Sequence, residues 1–186
     1  MEFSTFISKE DLFYDGSQLS SNFAYRKFGI SGDSIVGFSG GCNIPQENMA
    51  DLEDILDGEE IYSDKMLHFI AEFFFYDLNT VIALQRIFAG LIAELLYDRT
   101  GKRLDRDGDD LYLGPDKLSI SIATHTGVSN MFHFAMNLDS RNTPVKTVSL
   151  AELGIEDIND LTQEIFKLFS EELKGMIKAR CKVRMK

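Results

Sequence analysis

Residues 106–139, RDGDDLYLGPDKLSISIATHTGVSNMFHFAMNLD, decide the fold. Within them Asp109-Asp110-Leu111-Tyr112-Leu113 is a short strand pattern, Gly114-Pro115-Asp116 carries turn chemistry, and a second strand begins at Lys117. The spacing predicts a hairpin. Along the second strand Leu118, Ile120 and Ile122 alternate with Lys117, Ser119, Ser121 and Ala123, which gives one greasy face and one small, polar face headed by an amine. A third pattern from Met131 to Leu138 puts Phe132, Phe134, Met136 and Leu138 on one side and His133, Ala135 and Asn137 on the other. If the strands share a sheet, Lys117, Ser119, Ser121, His133 and Asn137 line one shallow site, since a buried, unpaired amine would be expensive in a pure core. The solvated outer face of an antiparallel sheet would give the same pattern.

Outward from this block, the apolar stripe Ile82, Leu84, Ile87, Phe88, Leu91, Ile92, Leu95 and Leu96 predicts a helix from an Asn79 cap to a Gly101 stop. A helix running into antiparallel strands predicts an α+β fold, with a mixed, largely antiparallel sheet backed by helices. Ser63 as a cap, Asp64 in the first turn and the packing of Phe69, Ile70, Phe73 and Phe74 predict another helix to Phe75, with His68 and Glu72 sharing its surface. Glu2 to Ile7 and Ser34 to Phe38 read as strands, and Val145 to Val148 as an edge strand after Pro144. Ser149 with Glu152 is a capping-box pattern, and Ile158 to Ile177 repeats at helical spacing. The acidic stretch from Met49 to Glu60 reads as a partly helical connector with a solvated face.

The 186 residues fit one domain, and 15 Phe in a chain that is 44% hydrophobic suffice for a core. A net charge of −11 argues against a broad nucleic-acid surface, which needs clustered cations. The first residues lack a basic segment followed by an apolar run, and no stretch reaches 18 uninterrupted apolar residues, so neither a signal peptide nor a membrane span is expected. Cys42 and Cys181 are far apart and lack metal-type spacing, which predicts a reduced, cytoplasmic setting. Composition does not address oligomeric state.

Several residues carry candidate chemistry. Gly40-Gly41, after a strand, would let backbone amides approach an anion, although a tight turn uses the same residues. Cys42 would serve as a nucleophile given a basic partner, and otherwise reads as an inert core thiol. His125 and His133 are candidates for acid or base chemistry near neutral pH, the better one being His133, which shares its strand face with Asn137, and a hydrogen-bonded structural histidine gives the same pattern. The cations from Lys174 to Lys186 suit a helix C-terminus, or an acidic partner.

Asp109-Asp110-Leu111-Tyr112-Leu113, Lys117-Leu118-Ser119 and the strand ending Met136-Asn137 resemble the central block of the biotin and lipoate protein ligases. In that family an Asn-Asp pair opens a strand and a lysine after a short turn contacts the carboxylate and phosphate of an acyl-adenylate. The resemblance places Lys117 at the lysine position and Asp109 and Asp110 at the Asn-Asp pair. A second resemblance, to a mainly archaeal family of unknown function with the same fold, rests on Asp15-Gly16-Ser17-Gln18, Gly32 to Val36, Ile61 to Asp64, Met66 to Phe69, Gly108 to Leu111 and Lys117 to Thr124. The second family brings no known activity with it; the ligase resemblance implies a small acyl or nucleotide ligand and leaves the cofactor unknown, with ATP and Mg2+ as the candidate. With the residue patterns above, this gives Lys117, Asp110 and His133 as candidates for catalysis, and Gly40, Gly41, Asn43, Asp109, Ser119, Ser121 and Asn137 for binding, of which the resemblance itself supplies Lys117, Asp109 and Asp110. The glycine- and arginine-rich loop of those ligases is represented here by Gly40-Gly41-Cys42-Asn43, without the arginines. A non-catalytic metabolite-binding module and a metal-dependent hydrolase using His68, Glu72, His125 or His133 are the competing readings.

Overall fold

The stretch Met66-Leu67-His68-Phe69-Ile70-Ala71 forms the middle of the main sheet, and the other elements are placed around it. The computed structural model describes residues 3–184. In chain order these form β1 (Ser4–Ile7), α1 (Phe23–Phe28), β2 (Ser34–Ile44), a 3-10 turn (Gln46–Asn48), α2 (Leu52–Asp57), β3 (Ile61–Phe73), α3 (Leu78–Thr100), β4 (Asp105–Asp107), β5 (Asp110–Leu113), β6 (Asp116–Lys117), β7 (Ser119–His125), β8 (Asn130–Asn137), α4 (Leu150–Leu153) and α5 (Ile158–Cys181). Among the described residues the strands make a five-stranded sheet ordered β1-β2-β3-β8-β7 and a three-stranded one ordered β4-β5-β6. The β1–β2 pair is parallel and the other pairs are antiparallel. This is the α+β arrangement expected, with α3 and α5 behind the main sheet.

Each face of that sheet has its own core. Leu67, Phe69, Phe73, Phe132 and Phe134 pack against α3 and α5 through Phe88 and Phe169. On the opposite face Val36, Phe38, Met66, Ile70 and Ala135 pack under Tyr14 and α1. β3 and β8 are therefore buried on both sides. For that reason the expected helix over 63–75 is a strand. A doubly buried strand shows no polar–apolar alternation, so its continuous apolar run cannot be told from a buried helix by periodicity. His68 and Glu72 still share a face, but stand about 13 Å apart along the strand rather than one helical turn apart.

Smaller boundaries also moved. Asp77, not Asn79, caps α3, accepting the Thr80 amide, while Gly101 closes it in the left-handed conformation. α3 has the length and apolar content to cross a membrane, but its Val81, Leu84, Phe88, Ile92 and Leu96 are buried in the core. The 145–148 segment makes one parallel bridge, Thr147 to Lys117, rather than an edge strand. The capping box of Ser149 and Glu152 forms as its spacing predicts.

The diglycine is not a loop, because β2 runs through it to Ile44. Residues 12–14 lie alongside, with the Leu12 amide donating to Ser39 and the Tyr14 amide to Gly41. A Cβ on Gly40 would sit 1.8 Å from the Leu12 carbonyl oxygen, so only glycine admits this contact. Gly40→Ala is expected to lower unfolding free energy by about 3 kcal/mol, at the upper end of overpacking costs, because the clash is with backbone. Gly90→Ala, on α3 with nothing within 4 Å of the added methyl, should raise it by about 0.5–1 kcal/mol. Urea unfolding of the two variants checks both signs.

Candidate functional site

The β7–β8 register sets Ser121 opposite Phe134 and Ile122 opposite His133. Residues paired across antiparallel strands point to the same face, so the two polar faces expected to line one site lie on opposite sides of the sheet. Ser119 and Ser121 face α3, while His133 and Asn137 lie with Ile120 and Ile122. The two sides meet at the open edge of the sheet. Because β7 has no strand beyond it, a cavity of 620 Å³ wraps this edge and touches Lys117, Ser119, Ser121, His133 and Asn137. Sequence alone brought these residues together for the wrong geometric reason.

On the α3 side, β6 ends at Lys117, whose Nζ lies 2.7 Å from Asp110 Oδ2, with both side chains between a fifth and a third exposed. Burial would lower the Lys117 amine. The charge and hydrogen bond of Asp110 outweigh it, Tyr112 and Asp54 add to the effect, and the ammonium is held above the ordinary lysine value. Burial raises the Asp110 carboxyl, and Lys117 offsets this only in part. The contact between the two is direct, and water still reaches both. Ser119 accepts the Leu111 amide and donates to Asp110. Gln85, buried on α3, donates to Asp109 and to Ser121. Asp109, Ser119 and Ser121 thus brace the hairpin against the sheet. Gln85 escaped the sequence reading; a glutamine next to Leu84, within the helix's apolar stripe, was the signal.

On the other side His68 and His133 meet, Nδ1 to Nε2, at 3.1 Å, and His68 Nε2 is 3.2 Å from the Gly40 carbonyl oxygen. A carbonyl only accepts, so His68 carries its proton on Nε2, and His133 Nε2 must then donate to His68 Nδ1. Burial lowers His68 to about 4, the Gly40 bond only partly opposing it. Burial, then the neighbouring His68, push His133 well below the ordinary histidine value. Both rings are neutral at pH 7, so the expected acid–base role for His133 loses its titration near neutrality. Tyr14 stacks on His133 at 3.8 Å between centroids. Sequence gave no signal for Tyr14, which reaches this place through the pairing of residues 12–14 beside β2.

Gly40, Gly41, Cys42 and Asn43 are not part of the cavity wall. The amides of Gly41's neighbours serve the sheet, and burial pushes the Cys42 thiol up to about 12, so it has no thiolate to offer. Both cysteines are free. Among the described residues no three His, Cys, Asp or Glu converge to hold a metal. Glu72 instead accepts from the Asn22 amide and Ser129, and exposed His125 bonds Asn130.

Residues 3–184 match the family described as a domain of unknown function, DUF366. The chain belongs to this family. An uncharacterised protein of Methanocaldococcus jannaschii is 36% identical over 171 residues, which are 89% of this chain and 77% of that protein. A protein of unknown function from Pyrococcus horikoshi has the same structure, with TM-score 0.92 and 38% identity over the whole of both chains. The fold continues into the ligases. The biotin protein ligase of Aquifex aeolicus gives TM-score 0.58 at 15% identity over 94% of this chain and 70% of that one. A T. acidophilum lipoate protein ligase candidate with bound lipoic acid gives 0.59 at 15% over 94% and 87%. At these identities the likeness establishes the fold.

The A. aeolicus enzyme has been solved with biotin and ATP; the charged residues on the wall of this DUF366 cavity are mostly acidic. Asp51, Glu53, Asp54, Asp57, Glu59 and Glu60 rim it beside Asp109 and Asp110, and the cations on the wall are Lys117 and Arg86. A polyanion would enter against this field, and the diglycine is not part of the cavity wall.

The neutral histidine pair makes stability pH-dependent. The unfolded chain protonates first as pH falls below the ordinary histidine value, so the pair's contribution is intact above about pH 6.5 and lost as pH falls toward 4. Urea unfolding between pH 7 and 5 should show stability falling with a slope that steepens below pH 6.5 toward a limit of about 1.4 kcal/mol per pH unit per buried histidine. The slope should persist in His125→Gln and shrink in His68→Gln.

Proposed function

We propose that the chain binds a small organic acid in the cavity at the open edge of β7, with the Lys117 ammonium meeting the ligand's carboxylate or phosphate oxygen. One observation carries this reading: an ammonium lies at the wall of a 620 Å³ cavity, aimed by a carboxylate on the neighbouring strand. The volume is that of a metabolite pocket. Asp110 orients the amine and keeps it charged. Asn137, tied to Ser63 and to the Lys117 carbonyl, holds the end of β8 against the start of β7. The setting is cytoplasmic, in keeping with two unpaired thiols.

Acyl transfer is the second reading. It is favoured by the fold shared with the biotin and lipoate ligases and by Lys117 following a hairpin turn, as the lysine of those ligases does. A preplaced ammonium stabilises an oxyanion as it develops. Against adenylation stand the acidic rim and the diglycine sealed inside β2.

Thermal unfolding with biotin, lipoate, fatty acids, amino acids and nucleotides tests the binding reading. A ligand at a hundredfold its Kd should stabilise the fold by about 2.7 kcal/mol. Lys117→Ala should weaken that ligand at least tenfold, about 1.4 kcal/mol. Equal affinity in the variant removes Lys117 from the site. Pyrophosphate release from Mg-ATP with any of these acids would move the protein to the ligase reading.

A further inference from the structure

The inner end of the cavity holds two polar atoms that the fold leaves without a partner, the Tyr14 hydroxyl and one ring nitrogen of His133. Tyr14 and His133 are each 1% exposed, both line the cavity, and their rings stack at 3.8 Å with 9° between planes. Buried polar groups in folded proteins nearly always find a partner, so an unmatched pair at a cavity wall calls for a physical explanation. His133 Nε2 is spent on His68 Nδ1, and His68 Nε2 on the Gly40 carbonyl. The direction of this chain is fixed from its far end: carbonyl, then donor, then acceptor, then donor. His133 Nδ1 is left unprotonated, a lone pair with no protein partner among the described residues, and the Tyr14 hydroxyl likewise has none.

We infer that the cavity recognises its ligand at this inner end through an N–H or O–H that the ligand donates to His133 Nδ1, with the Tyr14 hydroxyl as a second polar contact. His133 is then a specificity-determining residue and His68 a positioning residue that fixes its tautomer. The ligand class narrows to small acids whose other end carries a hydrogen-bond donor. A ligand presenting only an ether or ester oxygen there would set lone pair against lone pair and be rejected, as sites built to pair a polar group reject analogues lacking it. Burial keeps both imidazoles neutral, so the acceptor persists across the ordinary pH range. The inference rests on the cavity being a ligand site, and the carboxylate contact at Lys117 is separable from it.

The chain contains three histidines, which makes nitrogen-15 NMR of the imidazoles well suited to the test. In the ligand-free protein His133 should show a protonated Nε2 and a pyridine-type Nδ1. A series of ω-hydroxy carboxylates is then compared with their O-methyl ethers by calorimetry and by the same spectra. The hydroxy acids should bind at least tenfold tighter than the matched ethers and move the His133 Nδ1 resonance. In His68→Gln the single-tautomer signature of His133 should be lost and the preference for hydroxy acids should fall. In His133→Phe, which keeps the stacked ring, hydroxy acids and ethers should bind alike. A protonated Nδ1 in the free protein, equal affinity within the pairs for wild type, or no hydroxy acid that perturbs His133 would each overturn the inference. If Lys117→Ala binds normally while His133 still responds, the carboxylate reading fails and this one stands.

Discussion

Burial of β3 and β8 on both faces is the constraint from which the rest follows. The two central strands have phenylalanines on the helix side and a second apolar layer beneath residues 12–14 and α1. Away from the cavity little water reaches either face, so a polar group on these strands must find its partner inside the protein or lose the hydrogen bonds it makes in the unfolded state. His68 and His133 bond each other and the Gly40 carbonyl, Glu72 takes the Asn22 amide and the Ser129 hydroxyl, and Ser63 pairs with Asn137. Removing one member strands another in a dry layer, which couples strands otherwise joined only by backbone ladders.

The same constraint sends the functional site to the margin. With both faces filled, the sheet offers room only where a strand lacks a neighbour, and β7 is the edge that the small β4-β5-β6 sheet, α2 and the 143–147 segment surround without covering. Lys117 stands where the hairpin passes into the main sheet: its amide donates to Lys146 and its carbonyl accepts from Val148. The backbone is held from both sides there, so the position of the amine is set by the fold and its direction by Asp110. This is preorganisation: little has to be ordered when an anionic group arrives.

Sharing a fold with biotin and lipoate ligases does not carry their electrostatics. A cavity can keep its shape and place in the fold while the residues around its mouth set which charges enter. Here the rim of α2 is acidic and the wall has few cations, so field and fold point to different ligands. Function resides in the site grafted on the scaffold, and in DUF366 the graft combines one paired ammonium, one acidic rim and one neutral imidazole pair.

What the sequence by itself determined were elements governed by local rules. The β5–β6 turn, the Ser149 capping box, the Gly101 stop and the helices α3 and α5 follow from neighbours within a few residues, although the cap of α3 moves to Asp77 and the strand read from Lys117 divides into β6 and β7, which belong to different sheets. The resemblance at Asp109 to Ser119 carried the fold with it. Tertiary structure alone decided whether Met66 to Phe73 is helix or strand, because a run buried on both faces has no periodicity to read. It alone set the β7–β8 register that separates Ser121 from His133, and the course of residues 12–14 that seals Gly40 and brings Tyr14 onto His133. These depend on contacts between segments distant in the chain, and no local pattern encodes which segments will meet.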